Sequence, residues 1–67
     1  MTNKIRIERA IIDITQAQLA DLVKVSRQTI NAMESNKYVP SAVLAMKIAR
    51  IFEKSVEEIF ALSEEDF

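Results

Sequence analysis

Arg27, Gln28, Thr29 and Asn31 set a guanidinium, two carboxamides and a hydroxyl within five consecutive positions. A guanidinium donates through a planar fork that matches paired acceptors, and a carboxamide carries a donor and an acceptor side by side. These are the groups that suit nucleobase edges, since guanine offers O6 and N7 to a guanidinium and adenine offers N6 and N7 to an amide. Other chemistry lacks its residues. The chain has no cysteine and no histidine, which excludes disulfides, zinc sites of the usual Cys/His kind and the common thiol and imidazole nucleophiles and bases. Carboxylates are present without a paired catalytic constellation, so the sequence implies neither an enzyme nor a cofactor.

The polar cluster must be carried by a helix, and the helix starts are written in the caps. Thr15 with Gln18 forms a capping box and Ser26 is a second N-cap, so short helices are expected over 16–23 and 27–34. Only Lys24-Val25 separates them, which leaves room for a tight turn and a steep crossing. Ala20 supplies the small residue needed where the first helix passes under the second. Leu19, Val23, Val25, Ile30 and Met33 then form the inward set, and Arg27, Gln28, Asn31 and Ala32 face outward. The first helix is expected from Thr2 or Asn3 to Ile12. Residues 35–40 read as a loop, because Asn36 tolerates the left-handed conformation and the residue before Pro40 is pushed out of the helical region. A fourth helix opens at Ser41 with Leu44, Ile48, Ile51 and Phe52 on one stripe, and the capping box of Ser55 and Glu58 opens a fifth with Val56, Ile59 and Phe60. In the first helix Ile5, Ile12 and Ile14 suit the core. Ile7 and Ile11 form a separate i, i+4 stripe that faces either Phe60 or a second subunit.

Sixty-seven residues make one domain, 1–67. At that length folding buries only about 60% of the extended chain's surface, so one helical core must suffice unless a second subunit adds to it. No stretch approaches the roughly 20 apolar residues of a membrane span, and no secretory segment is seen, so a cytoplasmic protein is expected. The net charge of −1 is unevenly placed: residues 1–54 hold all nine Lys and Arg against five acids, a net +4, and residues 55–67 hold five acids and no base. A local basic patch is what matters for a polyanion, and an acidic tail elsewhere leaves it intact. Glu64, Glu65 and Asp66 read as a solvated tail.

The stretch from Ile5 to Phe60 resembles the Cro/C1-type (Xre) helix-turn-helix family. Ser-Arg-Gln-Thr-Ile-Asn at 26–31, Asn-Lys-Tyr at 36–38, Pro-Ser at 40 and 41 and Lys-Ile-Ala at 47–49 look like its short stand-alone regulators, of the cytolysin-repressor type. The resemblance implies an all-α, five-helix lambda-repressor-like fold with the helix-turn-helix at 16–35. It implies a sequence-specific, double-stranded DNA-binding transcriptional regulator, a repressor working as a homodimer on a palindromic operator, with 55–67 as the dimerisation segment. It further implies that Gln16 meets the DNA backbone, that Arg27 and Gln28 reach base edges with Thr29 and Asn31 on the same face, and that Asn36 and Lys37 touch phosphate. Arg9 and Glu34 match a partly buried ion pair. The sequence departs from the family pattern at Lys24, where the turn usually has glycine, at Glu53-Lys54, where Gly-Val is common, and at Glu8 and Ala32. A different class, a protein-interaction module such as an antitoxin or antirepressor, is compatible with the same fold. No separate ligand domain is expected, which leaves a regulatory protein partner, concentration or the dimer equilibrium to carry a signal.

Overall fold

The computed structural model describes residues 1–67. The chain runs β1 (Thr2–Asn3), α1 (Ile5–Ile12), α2 (Gln16–Val23), α3 (Arg27–Glu34), α4 (Ala42–Ile51), α5 (Val56–Ile59), β2 (Phe60–Ala61) and a closing 3₁₀ turn over Glu64–Asp66. Helices α2 to α5 stand where their caps place them, whereas α1 starts at Ile5, later than the expected Thr2 or Asn3. Thr15, Ser26, Ser41 and Ser55 each accept the N–H three residues on, and Gln18 and Glu58 complete their boxes by accepting from the backbone N–H of Thr15 and Ser55.

Helix ends are made without glycine. Asp13, Lys24, Asn36 and Glu53 all take positive φ, between 56° and 63°, and the residue after each bonds back to a carbonyl of the helix it closes: Ile14 to Arg9, Val25 to Ala20, Lys37 to Ala32 and Lys54 to Ala49. The left-handed conformation costs a side-chain-bearing residue about 1–2 kcal/mol, less for Asn and Asp than for Lys or Glu. The chain tolerates this cost because satisfying the last carbonyls of a helix is worth more than leaving them unpaired.

Thirteen apolar residues form one core: Ile5 from α1, Leu19, Ala20 and Val23 from α2, Ile30 and Met33 from α3, Leu44, Ala45, Ile48 and Ala49 from α4, and Phe52, Ile59 and Phe60. Val25 and Ile14 pack at its margin. The sequence expectation for α1 needs correction at Ile12, and one of the two alternatives for Ile7 and Ile11 is removed. Ile12 is 43% exposed, because the helix stops at a left-handed Asp13 and Ile14, turned back beneath it, takes the inward position. Ile7 and Ile11 are also exposed and do not cover Phe60.

The chain's first residues are not helical. Thr2 and Asn3 pair antiparallel with Ala61 and Phe60, and Lys4 N–H reaches the Ile59 carbonyl at 2.9 Å. Asn3 then launches α1, its Oδ1 accepting from Ile5 N–H at 3.1 Å while its Nδ2 donates to the Met33 carbonyl at 2.7 Å. The regular structure is therefore all helical except for a ribbon of two short strands, two residues each. The acidic tail is also less free than its composition suggests: Asp66 lies 2.8 Å from the Met1 ammonium. That hydrogen bond, with the Ser63 N–H, lowers the Asp66 carboxyl to about 2.

Candidate nucleic-acid interface

The outer face of α3 is built from residues that the helix cannot bury. Ile30 and Met33 fix its rotation by inserting into the core, so Arg27, Gln28 and Asn31 turn to solvent and line one shallow hollow. Thr29 is half-buried, and its hydroxyl lies 3.0 Å from Ser26 Oγ at the helix start. Ala32 does not stand on the outward face; it too is half-buried. Asn36 and Lys37 follow just past the far end of α3, which places Lys37 roughly 12 Å or more from Arg27 along the helix. Lys37 is exposed and enters no ion pair. Asn36 Oδ1 accepts a long hydrogen bond from Asn3 at 3.5 Å.

Glu34 is the acid on this helix, and the structure withdraws its charge from the surface. Its side chain is wholly enclosed. Arg9 grips it with both Nε and Nη2, at 2.6 and 3.1 Å, and spends a third donor on the Ile14 carbonyl at 2.9 Å. Gln16 Nε2 adds a bond of 3.0 Å and Arg6 Nε a longer one of 3.4 Å. Burial alone would push the Glu34 carboxyl up, but the bonds from Arg9 and Gln16 and the nearby Arg9 charge together hold it below its usual value. The same contact raises the Arg9 guanidinium. The expected Arg9–Glu34 pair is thus present. Arg6 joins it, and the i, i+3 spacing of two arginines on α1 was the signal for that.

Gln16 sits at the first turn of α2, where the backbone N–H groups have no intrahelical acceptor. That helix start opens on a shallow depression lined by Thr15, Gln16, Ala17 and Arg27 among others. A helix N-terminus beside a guanidinium favours an anion. One surface thus carries a polar helix face and a helix start beside Arg27, with Lys37 beyond the far end of α3; Glu34 is paired beneath them, while Asp13 stays exposed at the rim of the depression.

The helix-turn-helix family model matches residues 5–59. Among curated proteins the chain is similar to an uncharacterized HTH-type transcriptional regulator of Methanocaldococcus jannaschii, 46% identical over 66 residues that cover 98% of this chain and 100% of the relative. A Bacillus subtilis protein described in the same words is 42% identical over 98% of this chain and 100% of its own length. One from Archaeoglobus fulgidus is 46% identical, with 98% and 93% of the two chains covered.

Proposed function

The chain belongs to the helix-turn-helix family of DNA-binding transcriptional regulators, and from that premise we propose that it reads the major groove of double-stranded DNA with α3. The observation that carries this reading is the exposed trio Arg27, Gln28 and Asn31 on a helix whose acid is enclosed. A helix of this diameter fits the major groove, and the N-terminal residues of such a helix approach base edges most closely. Arg27 and Gln28 make the base contacts, with Asn31 and Thr29 alongside. The main-chain N–H of Gln16 takes one phosphate, and Asn36 and Lys37 take another beyond the end of α3.

The regulator works as a homodimer on a palindromic operator and as a repressor. A single eight-residue helix makes few base contacts, and a two-fold axis doubles them. Residues 55–67 supply the dimer surface; Leu62 and Phe67 are exposed there. No helix is long and apolar enough to cross a membrane.

Titration of variants on matched and scrambled duplexes at several salt concentrations tests the reading. Arg27→Ala and Gln28→Ala each cost about 1–3 kcal/mol on the best site and relax its preference. Lys37→Ala weakens every duplex equally and flattens the slope of log affinity against log salt by about one unit. Uniform losses from Arg27→Ala and Gln28→Ala, with preference intact, would remove α3 as the reading element and favour a protein-interaction role.

A further inference from the structure

Resting on the reading of α3 as the base-contacting helix, we infer that Glu34 is a positioning residue for specificity. It acts through Gln16 to fix the Asn31 carboxamide with its NH₂ group presented to the groove. Donors and acceptors alternate from the inside outward. Glu34 is held ionised by Arg9, so its oxygens only accept. The Gln16 atom 3.0 Å from Glu34 Oε1 must therefore be Nε2. The second N–H of that same group then faces Asn31, and the atom it meets at 3.3 Å must be an acceptor, Oδ1. Asn31 Nδ2 is what remains. Asn31 is exposed and Gln16 only half-exposed, so the terminal NH₂ is the end of the chain that reaches solvent.

Two consequences separate this arrangement from a set of independent polar side chains. Gln16 has both amide protons engaged, so its side chain has no donor left for a phosphate and its role toward the backbone falls to the main-chain N–H. Asn31 presents donors ahead of its partly occupied oxygen, which suits an acceptor-rich edge such as guanine N7 and O6 or thymine O4 over the donor N4 of cytosine. An amide that is free to flip would read either. Here the polarity is set by a carboxylate two side chains away, and cooperative polarisation along the chain strengthens it.

The experiment uses Gln16→Met, which cuts the link while leaving the Arg9–Glu34 pair and the main-chain N–H of residue 16 in place. Bound sequences are selected from a randomised duplex pool with the wild type, Gln16→Met, Asn31→Ala and the double variant. The expected result is that the wild type shows a purine or thymine preference that both single variants relax at the same base position, by on the order of tenfold, and that the double variant loses no more. In the free protein, side-chain amide resonances provide a second readout: acid titration of Glu34 shifts the Gln16 Nε2 and Asn31 Nδ2 signals at one midpoint in the wild type, and the Asn31 response is lost in Gln16→Met. A Gln16→Met variant that binds all duplexes more weakly by the same factor, with preference intact, overturns the inference and makes the Gln16 side chain a phosphate ligand, while α3 keeps its role. A wild type that selects no sequence overturns the reading of α3 itself and this inference with it.

Discussion

Adjacent residues of α1 lead to two buried carboxylates in unlike company. Arg9 turns toward α3 and meets Glu34, whose enclosed oxygens receive donors from Arg9, Arg6 and Gln16. Glu8, one position earlier, turns toward the junction of α4 and α5 and meets Lys54 Nζ alone, at 2.7 Å. Glu8 is nearly as enclosed as Glu34, with 6% of its side chain exposed, yet its partner is 38% exposed. A carboxylate held by a two-pronged guanidinium has a fixed direction, whereas one held by a flexible ammonium has a fixed charge balance and little else. The first kind organises a surface. The second fastens a corner.

Breaking the two pairs puts numbers on that difference. Glu34→Ala strands the Arg9 guanidinium and is expected to cost about 3–5 kcal/mol, with Arg9→Ala similar, in urea denaturation; a double-mutant cycle gives the coupling, and its absence would remove the pair's structural role. The effect depends on pH in a defined direction. Because the folded-state carboxyl of Glu34 lies below its unfolded value, its contribution is complete above the ordinary carboxylate range and is lost as pH falls through the lowered value. Stability curves of the wild type and Glu34→Gln are therefore expected to converge in acid and separate as pH rises.

Lys54→Ala leaves Glu8 enclosed without a partner and is expected to cost about 1–2 kcal/mol, reduced from the figure for a fully buried pair because Lys54 is screened by water. Glu8→Ala costs less, since the lysine it leaves behind reaches solvent. Equal losses from the two variants, read by thermal unfolding, would mean that Lys54 is held as firmly as Arg9.

The smallest effect sharpens the comparison at the turns. Lys24→Gly, beside α3, and Glu53→Gly, beside the Glu8–Lys54 corner, each relieve a left-handed side chain while loosening the unfolded chain, for a net gain of up to about 1 kcal/mol. Both are expected to raise the melting temperature by a few degrees. A loss at position 53 alone would show that the corner depends on that residue's side chain.

The two regions also differ in how far the sequence foretells them. Helices α2 to α5 announce themselves through Thr15, Ser26, Ser41 and Ser55, whose caps act on a backbone only three residues away. The Arg9–Glu34 pair is visible through family resemblance. The Glu8–Lys54 pair is not, because nothing local in either segment encodes a contact between them. It turns two departures from the family pattern, at Glu8 and at Lys54, into one interaction. The ribbon escapes for a similar reason, since Thr2-Asn3 is too short to show alternation and gains strand character only when Phe60 and Ala61 arrive. Ile12 misleads because apolar spacing predicts a face but not the residue at which the helix stops. At the candidate interface, residue types are legible. Their hydrogen-bond partners are not, and the engagement of Gln16 by Glu34 and Asn31 is seen only once α2 and α3 are crossed.

The pairing of Thr2 with Ala61 joins segments separated by nearly the whole chain. The α2–α3 turn, by contrast, closes within a few residues. Loop-closure entropy rises with the length enclosed, so the ribbon is the last element to gain from forming and the first to open. Folding kinetics should show it: substitutions in β1 speed unfolding with little change in the folding rate, while substitutions at Leu19 or Ile30 slow folding. Hydrogen exchange should place the Lys4 amide, bonded to Ile59 across the ribbon, in a local opening well below the global unfolding free energy. The candidate reading helix therefore stays assembled while the two ends of the chain part.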